Sequence, residues 1–320
     1  ETYRQNAVDI FTDCPSRERA GWLCDSFFTA RVEKILTGKS LIEKSFLENF
    51  LHEDKYKHLP EGMLPMCYPA DHHDDSFIPN WAMWLVLELE EYLDRSGDRD
   101  MIDRYRDKVY GLLRYLAQFE NSDGLLEKLE GWIFVEWSKA NELVQDVNYP
   151  TNMLYSATLA CAGRLYKDET LLRKSEKVKE AILAQSFNGK FFTDNAVRRD
   201  GILVNTGEIT EVCQYYAFFF NIATPETHGE LFETLINDFG PDRKNDNKYP
   251  EVHFANAFIG NYLRLDVMMR YGYKQKVLDN IRGYFLYMAE KTGTLWEHVE
   301  DWASCNHGFA SHVIYWLAQM

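Results

Sequence analysis

Residues 79–95 read PNWAMWLVLELEEYLDR, with apolar side chains every three to four positions, and the run stops at a Ser-Gly-Asp turn. This spacing places the apolar side chains along a helix, and the turn residues are typical of a helix end. Residues 100–119 have the same spacing and end at Asn-Ser-Asp-Gly. Residues 84–87 (WLVL) are apolar on every side of the helix. The two runs predict a helical hairpin whose first helix is buried all round.

The same spacing recurs along the chain and predicts eleven helices, many of them in pairs. Strand signals are sparse: residues 131–135 and 189–192 are short strands or extended loops. An open solenoid and a closed toroid of hairpins both fit, and the helices that are apolar all round favour the toroid. We expect one all-α domain over residues 1–320, with its longer loops gathered at one mouth. The predicted helices cover residues 23–36, 40–51, 79–95, 100–119, 149–166, 169–185, 207–221, 227–238, 256–271, 274–289 and 307–318.

Composition narrows the class of partner. The 320 residues are 46% hydrophobic, which excludes a disordered chain. With 50 acidic and 35 basic residues the formal net charge is −15, so nucleic acid and anionic membranes are disfavoured as partners. No apolar run approaches 18 residues, so membrane insertion through a helix is not expected. The 19 Tyr and 8 Trp residues are compatible with a sugar site, although most such rings belong to the core.

One acidic stretch has the residue types needed for acid–base chemistry. Residues 13–25, DCPSRERAGWLCD, bring together Asp13, Glu18 and Asp25 with two arginines. Pro15 and Gly21 rule out a simple surface helix and predict a shaped loop that opens a helix. Crowded carboxyl groups raise one pKa, which keeps an acid protonated near neutral pH. A salt-bridge cluster at the helix start is the alternative.

A second stretch combines aromatic and acidic residues near the end of the chain. Residues 294–302 read TLWEHVEDW, and Glu297 lies between two tryptophans; residues 304–308 read SCNHG. The aromatic content is too high for a solvated turn. Asn306 is predicted to cap the last helix at its N-terminus. His307 fits either a functional site or a capping or core position.

These two stretches resemble the signatures of the bacterial α-L-rhamnosidases, glycoside hydrolase family 78. Residues 13–25 resemble the family's DCPxRxERxGWxxD signature, and residues 294–307 resemble its TxWE…NH signature. Trp81, Trp137 and the region of residues 260–284 fall in the matching order. The resemblance spans nearly the whole chain, and the fold that it implies is an (α/α)6 barrel of six helical hairpins.

The resemblance also implies an activity and residue roles. It implies an inverting exo-glycosidase that releases terminal α-L-rhamnose from plant glycans or glycosides. Glu18 matches the general acid and Glu297 the general base, and in an inverting enzyme the two carboxyl groups lie roughly 6.5–9.5 Å apart. The positions that match substrate-binding residues are Asp13, Arg17, Trp22, Asp25, Trp81, Trp137 and His307.

The sequence departs from the family pattern at several points. One residue fewer than in the commonest signature separates Arg17 from Glu18. Glu136 stands where an aspartate before tryptophan is usual, and Gly308 replaces a frequent tyrosine. Family members usually carry β-sandwich domains that are missing here, so we expect residues 1–320 to be one catalytic domain of a longer chain. The resemblance implies that the protein is periplasmic or secreted, as is usual for this family.

Other constellations support rival functions. We expect no cofactor, and no glycine-rich phosphate loop is present. The lack of a GxSxG motif argues against an α/β-hydrolase. Residues 71–75, DHHDD, offer metal-ligand types, but adjacent histidines rarely face one ion, and a polar loop touching sugar hydroxyls is preferred. The rivals are a glycosidase of this fold for another sugar, a non-catalytic carbohydrate-binding relic, and a metal-dependent hydrolase built on His72 and His73.

Overall fold

The computed structural model describes residues 1–52, 56–70, 76–246 and 248–320. They form two compact units: Glu1–Tyr115 with Lys274–Met320, and Leu116–Tyr273. The predicted DHHDD loop at 71–75 lies outside the described residues. Among the described helices, none is long and apolar enough to cross a membrane.

The first unit is built on helices that the sequence predicts. Helix Leu23–Thr37 packs against helix Pro79–Ser96 and against a short 3-10 turn at Gly308–His312. The described helices of this unit are Thr2–Asn6, Leu23–Thr37, Leu41–Asn49, Pro79–Ser96, Arg99–Ala117 (whose last two residues fall in the second unit), Lys274–Asn280, Leu286–Thr292 and Val313–Leu317, with a π-helical turn at Ile281–Phe285.

The two helices of the hairpin predicted over residues 79–119 differ in how much of their surface is buried. In helix Pro79–Ser96 the run of residues 84–87 is buried throughout, as its apolar pattern predicts. Helix Arg99–Ala117 instead buries a single stripe that includes Ile102, Tyr105 and Val109. Gly97 ends the first helix in the left-handed conformation (φ 72°), which glycine adopts without strain. The prediction that residues 84–87 are buried on all sides of their helix is confirmed.

The second unit repeats this alternation. Helix Tyr149–Tyr166 is almost wholly buried and packs against the amphipathic helix Glu169–Ser186. The two approach closely, because a Cβ on Gly163 would lie 2.6 Å from Leu172. The described helices of this unit are Lys139–Glu142, Tyr149–Tyr166, Glu169–Ser186, Glu211–Phe219, Gly229–Asn237, Arg243–Asp246 and Tyr262–Arg270.

The described strands are short and all lie in the second unit. Val147–Asn148, Asn195–Arg199 and Ile202–Asn205 form an antiparallel sheet in that order, and Ile209–Thr210 pairs in parallel with Val252–His253. Residues 193–206, predicted as a loop, therefore contain a β-hairpin. Residues 131–135 are an extended loop rather than a strand, and in 189–192 only Phe192 makes an isolated bridge.

The predicted helix over 256–271 begins six residues late. A distorted turn occupies Ala257–Asn261, where Phe258 has ψ 123° and Ile259 has φ 57°, and the regular helix starts at Tyr262. A positive φ at a β-branched residue is strained. The buried side chain of Glu136 accepts the N–H groups of Asn256, just before this turn, and of Gly260, within it, and so holds the distorted backbone.

Candidate active site

The first acidic stretch folds into a tight loop that ends at helix Leu23–Thr37. The Asp13 N–H donates to the Ala20 carbonyl over 3.0 Å, and the Ala20 N–H donates to Asp13 Oδ1 over 2.9 Å. A Cβ on Gly21 would lie 2.4 Å from the Tyr68 carbonyl oxygen. The close approach of these two backbone segments requires glycine, and it fixes the start of the helix.

The second stretch meets the first within the same unit. The Gly308 N–H donates to the Asp13 carbonyl over 2.6 Å. The Glu297 N–H donates to the Ser304 carbonyl over 2.9 Å, and the Ser304 N–H donates to Glu297 Oε2 over 3.2 Å. These bonds close the loop that carries Glu297. The two signature stretches therefore form one site, although they lie at opposite ends of the chain.

Arg17 joins the two predicted catalytic carboxylates. Its Nε donates to Glu18 Oε2 over 2.6 Å, and its Nη2 donates to Glu297 Oε2 over 2.9 Å. The side chains of Arg17, Glu18 and Glu297 are 49%, 26% and 9% exposed. One guanidinium thus holds both carboxylates, and it is the most solvent-accessible of the three groups.

A buried histidine connects the remaining acidic residues. His307 Nε2 lies 2.9 Å from Asp25 Oδ1, and its Nδ1 lies 3.7 Å from Glu297 Oε2. Burial alone would lower the pKa of His307, but the hydrogen bond and charge of Asp25, with the charges of Glu297 and Asp13, raise it above the ordinary value. Burial raises the pKa of Asp25 despite the opposing histidine. The pair therefore holds its proton more tightly than the free side chains would.

One of the crowded carboxyl groups has a raised pKa, as the sequence predicts. Burial raises the pKa of Asp13 to about 6. Burial also acts to raise the pKa of Glu18, but hydrogen bonds from Arg17, Asp13 and Cys14 outweigh it and lower that pKa to about 2. The raised pKa thus belongs to Asp13, and the role of Glu18 as general acid stays a prediction.

The predicted aromatic positions fall in different surroundings. Trp22 is partly buried directly before helix Leu23–Thr37, and Trp81 is buried in the first turn of helix Pro79–Ser96. Trp137 lies in the second unit and is 39% exposed. Its ring contacts Phe134 and Trp132 at centroid distances of 4.8 and 5.7 Å. The first unit thus contains all the predicted site residues except Trp137.

Glu136 anchors the backbone next to Trp137. It is fully buried, and its Oε1 accepts the N–H groups of Asn256 and Gly260 over 2.7 and 3.2 Å. A Cβ at Gly260 would lie only 2.2 Å from this oxygen. Burial raises the pKa of Glu136 to about 8. The glutamate that departs from the family's usual aspartate is therefore an internal hydrogen-bond acceptor.

Among the described residues, one cluster of acidic and thiol side chains has the ligand types of a metal site, but an arginine already contacts it. Asp13, Cys14 and Glu18 each bring a ligand atom within 4.8 Å of the others. The Arg17 guanidinium donates to the same Glu18 oxygen that the Cys14 thiol contacts. A second cation there would face this fixed positive charge, so we assign no metal ligands to the group. His72 and His73 lie outside the described residues.

Comparison with protein families gives a match over the whole chain. The family model described as bacterial alpha-L-rhamnosidase 6 hairpin glycosidase domain matches residues 1–320. The chain belongs to this family. This rhamnosidase-family domain is accordingly a glycoside hydrolase domain with the six-hairpin, (α/α)6 fold, and the open solenoid is excluded. Among curated proteins, no match was found.

Solved structures share the fold of this rhamnosidase-family domain. The family 78 rhamnosidase of a Bacillus species superposes with a TM-score of 0.83 at 19% identity, over 99% of this chain and 33% of that one. The Klebsiella oxytoca rhamnosidase with rhamnose bound gives 0.77 at 17%, over 99% and 61%. The family 63 mannosylglycerate hydrolase of Thermus thermophilus gives 0.67 at 12%, over 99% and 98%. The domain thus spans about a third of the Bacillus rhamnosidase chain and about three-fifths of the Klebsiella one.

Some contacts of the site were not predicted. The Cys14 thiol lies 3.3 Å from Glu18 Oε2, and its place inside the first signature was the available signal. Ser304 acts through its backbone N–H, for which side-chain identity gives no signal. Asn306 does not cap the last helical segment, because its Oδ1 accepts the Asn6 side-chain N–H over 2.9 Å. That capping prediction is wrong.

Proposed function

We propose that this domain is an inverting exo-glycosidase that releases terminal α-L-rhamnose from plant glycans or glycosides. The observation that carries the proposal is the placement of Glu18 and Glu297 on one guanidinium, at the two positions that match the family's acid and base. Both carboxylates reach one small volume, as a reaction at a single anomeric carbon requires.

The chemistry needs one carboxyl group on each side of the scissile bond. Glu18, once protonated, gives its proton to the glycosidic oxygen as the bond from that oxygen to the anomeric carbon breaks. Glu297 takes a proton from a water molecule that attacks the opposite face of the sugar. No covalent glycosyl-enzyme forms, so the released sugar has the opposite anomeric configuration.

The surrounding residues fit the recognition of a polyhydroxylated ring. Asp13, Arg17, Asp25 and His307 offer charged acceptors and donors for hydroxyl groups, and charge-assisted hydrogen bonds are the stronger kind. Trp22 is proposed to flank the ring, since the faces of indole groups stack on sugar C–H surfaces. By the resemblance alone, Trp81 and Trp137 are proposed as further substrate-binding positions. No cofactor is required by this mechanism.

A different sugar is the second candidate. The fold is shared with a mannosylglycerate hydrolase at a TM-score of 0.67, so the six-hairpin scaffold by itself does not select rhamnose. Two further rivals remain. A non-catalytic carbohydrate-binding relic predicts no turnover. A metal-dependent hydrolase built on His72 and His73 predicts that a chelator abolishes turnover.

We also propose that residues 1–320 act as one catalytic domain within a longer protein that carries β-sandwich domains. The small share of the two rhamnosidase chains that this domain spans supports this proposal. The full-length chain is therefore the proper sample for activity measurements.

The test is hydrolysis of an aryl α-L-rhamnoside, with the anomer of the first released sugar followed by NMR. Initial release of β-L-rhamnose is the expected result. Initial release of the α anomer contradicts the inverting roles. If only an aryl glycoside of another sugar is cleaved, the fold is right and the sugar is wrong. If none of these glycosides is cleaved but the protein still binds rhamnose, the domain is a non-catalytic carbohydrate-binding relic.

A further inference from the structure

The contacts of Arg17 do not suit the reaction proposed above. An inverting mechanism needs Glu18 protonated and Glu297 ionised at the same time. The Arg17 guanidinium donates to one oxygen of each group, over 2.6 and 2.9 Å, and its bond to Glu18 favours the charged form of Glu18. Glu18 accordingly has its pKa lowered to about 2. Something must change at Arg17 before Glu18 can serve as an acid.

We infer that Arg17 is a clamp that holds Glu18 inactive until a glycoside binds, and that sugar hydroxyl groups draw the guanidinium away from Glu18 so that this carboxylate takes up a proton. The inference rests on the proposed function. Arg17 is thereby a substrate-binding residue that also controls the protonation state of the acid.

The two contacts of Arg17 are not equally protected. Glu297 is 9% exposed, and its Oε2 also accepts the Ser304 N–H and lies near His307. Glu18 is 26% exposed, and besides Arg17 it has hydrogen bonds from Asp13, from its own backbone N–H and from the Cys14 thiol at 3.3 Å, a weak donor. Since Arg17 is itself half exposed, an entering sugar reaches the guanidinium, and the contact with Glu18 is the one more easily given up.

The surroundings favour protonation once the guanidinium has moved. The charged or titratable groups that contact Glu18 or Arg17 are Asp13, Cys14 and Glu297. Asp25 and His307 interact with each other and with Glu297. Without the cation at its oxygen, Glu18 is left partly buried among acidic groups. Burial then raises its pKa, opposed by the remaining hydrogen bonds from Asp13, Cys14 and its own backbone N–H.

The proton balance closes over one turnover. Binding transfers one proton from solvent to Glu18. Cleavage moves it to the leaving-group oxygen while Glu297 gains a proton from the attacking water. Release of the sugar lets Arg17 return to Glu18, and Glu297 gives its proton to solvent. No further reactant is needed.

Calorimetric titration of the full-length protein with L-rhamnose, at about pH 5 in buffers of different ionisation enthalpy, counts the protons taken up on binding. We expect about one proton per sugar in the wild type. Glu18→Gln, which cannot titrate at this position and retains Asp13, should bind rhamnose and lose this uptake. Equal uptake by the wild type and Glu18→Gln overturns the inference while leaving the proposed function intact.

Arginine variants separate a clamp from a purely structural role. Arg17→Gln should weaken rhamnose binding and also reduce the uptake, because Glu18 is then partly protonated before the sugar arrives. Arg19→Gln removes the same charge from an exposed position of the same loop and should leave the uptake unchanged. If Arg17→Gln binds more weakly with undiminished uptake, the clamp is overturned. If the wild type neither binds rhamnose nor cleaves a rhamnoside, the proposed function fails, and the inference with it.

Discussion

His307 and Asp25 form a buried pair, with 2.9 Å between Nε2 and Oδ1 and both side chains more than nine-tenths buried. They are 282 residues apart in sequence. Through His307 Nδ1, 3.7 Å from Glu297, the pair also reaches the proposed general base. The pair thus links the start of helix Leu23–Thr37 to the closing loop, and its protonation bears on both stability and catalysis.

Replacement of His307 by Gln should destabilise the protein most at low pH. The folded pKa of His307 is raised above 6.5, so its stabilising contribution is complete below 6.5 and is lost as pH rises through the folded value. Gln keeps a donor for Asp25 but cannot titrate. We expect the free energy of unfolding to fall by about 1–3 kcal/mol below pH 6.5, and by less at higher pH. The difference in Tm between variant and wild type, measured across pH, tests this. His253→Gln, at an exposed position, is the control, and a difference independent of pH would refute the assignment.

Glu18→Gln and Glu297→Gln should each lower turnover by about 100- to 10,000-fold while rhamnose binding persists. The two variants should differ in their response to the leaving group. Glu18→Gln should lose least on aryl rhamnosides with acidic phenols, since these leave without a proton donor. Glu297→Gln should lose equally on all of them. Initial rates over a leaving-group series give the comparison, with Glu300→Gln, exposed in the same loop, as the control. Near-normal turnover of either variant means that its role is wrong.

Local patterns predicted much of the helical framework, because a stripe such as Ile102, Tyr105 and Val109 is encoded within one segment. The hairpin at 195–205 escaped prediction, although Asp200-Gly201 is a strong hairpin turn signal. The late start of helix Tyr262–Arg270 had no local signal. The distorted turn before it contacts Glu136, which is more than 100 residues away in sequence and accepts the N–H groups of Asn256 and Gly260.

In the active site, too, features that depend on local sequence were predicted, and features that depend on distant contacts were not. The two signature stretches were found from their residues, because acidic, arginine and tryptophan positions are spaced there in a specific way. The pKa shifts could not be found in this manner, since they depend on which oxygen faces Arg17. The sequence therefore predicted that one carboxyl pKa is raised, but not that the raised pKa is that of Asp13 rather than Glu18.

Glu136 should make stability fall with rising pH. Its folded pKa of about 8 exceeds the ordinary 4.5, so its contribution is complete below 4.5 and is lost as pH rises through 8. For one group the slope between these values approaches about 1.4 kcal/mol per pH unit. Glu136→Gln is expected to match the wild type at low pH and to exceed it above pH 8, as measured by urea unfolding. Exposed Glu142→Gln is the control, and parallel curves for wild type and Glu136→Gln would contradict the prediction.

The buried ion pair of Arg243 with Glu211 should be costly to break. Both side chains are at most 2% exposed, and the remaining guanidinium nitrogens donate to backbone carbonyls, including those of Tyr249 and Val252. Arg243→Met leaves a buried carboxylate without its partner, and we expect a loss of about 3–5 kcal/mol in urea unfolding. Lys139→Met breaks the exposed pair with Glu142 in the same unit and should cost less than about 1 kcal/mol. Equal losses for the two variants would show that burial does not set the cost.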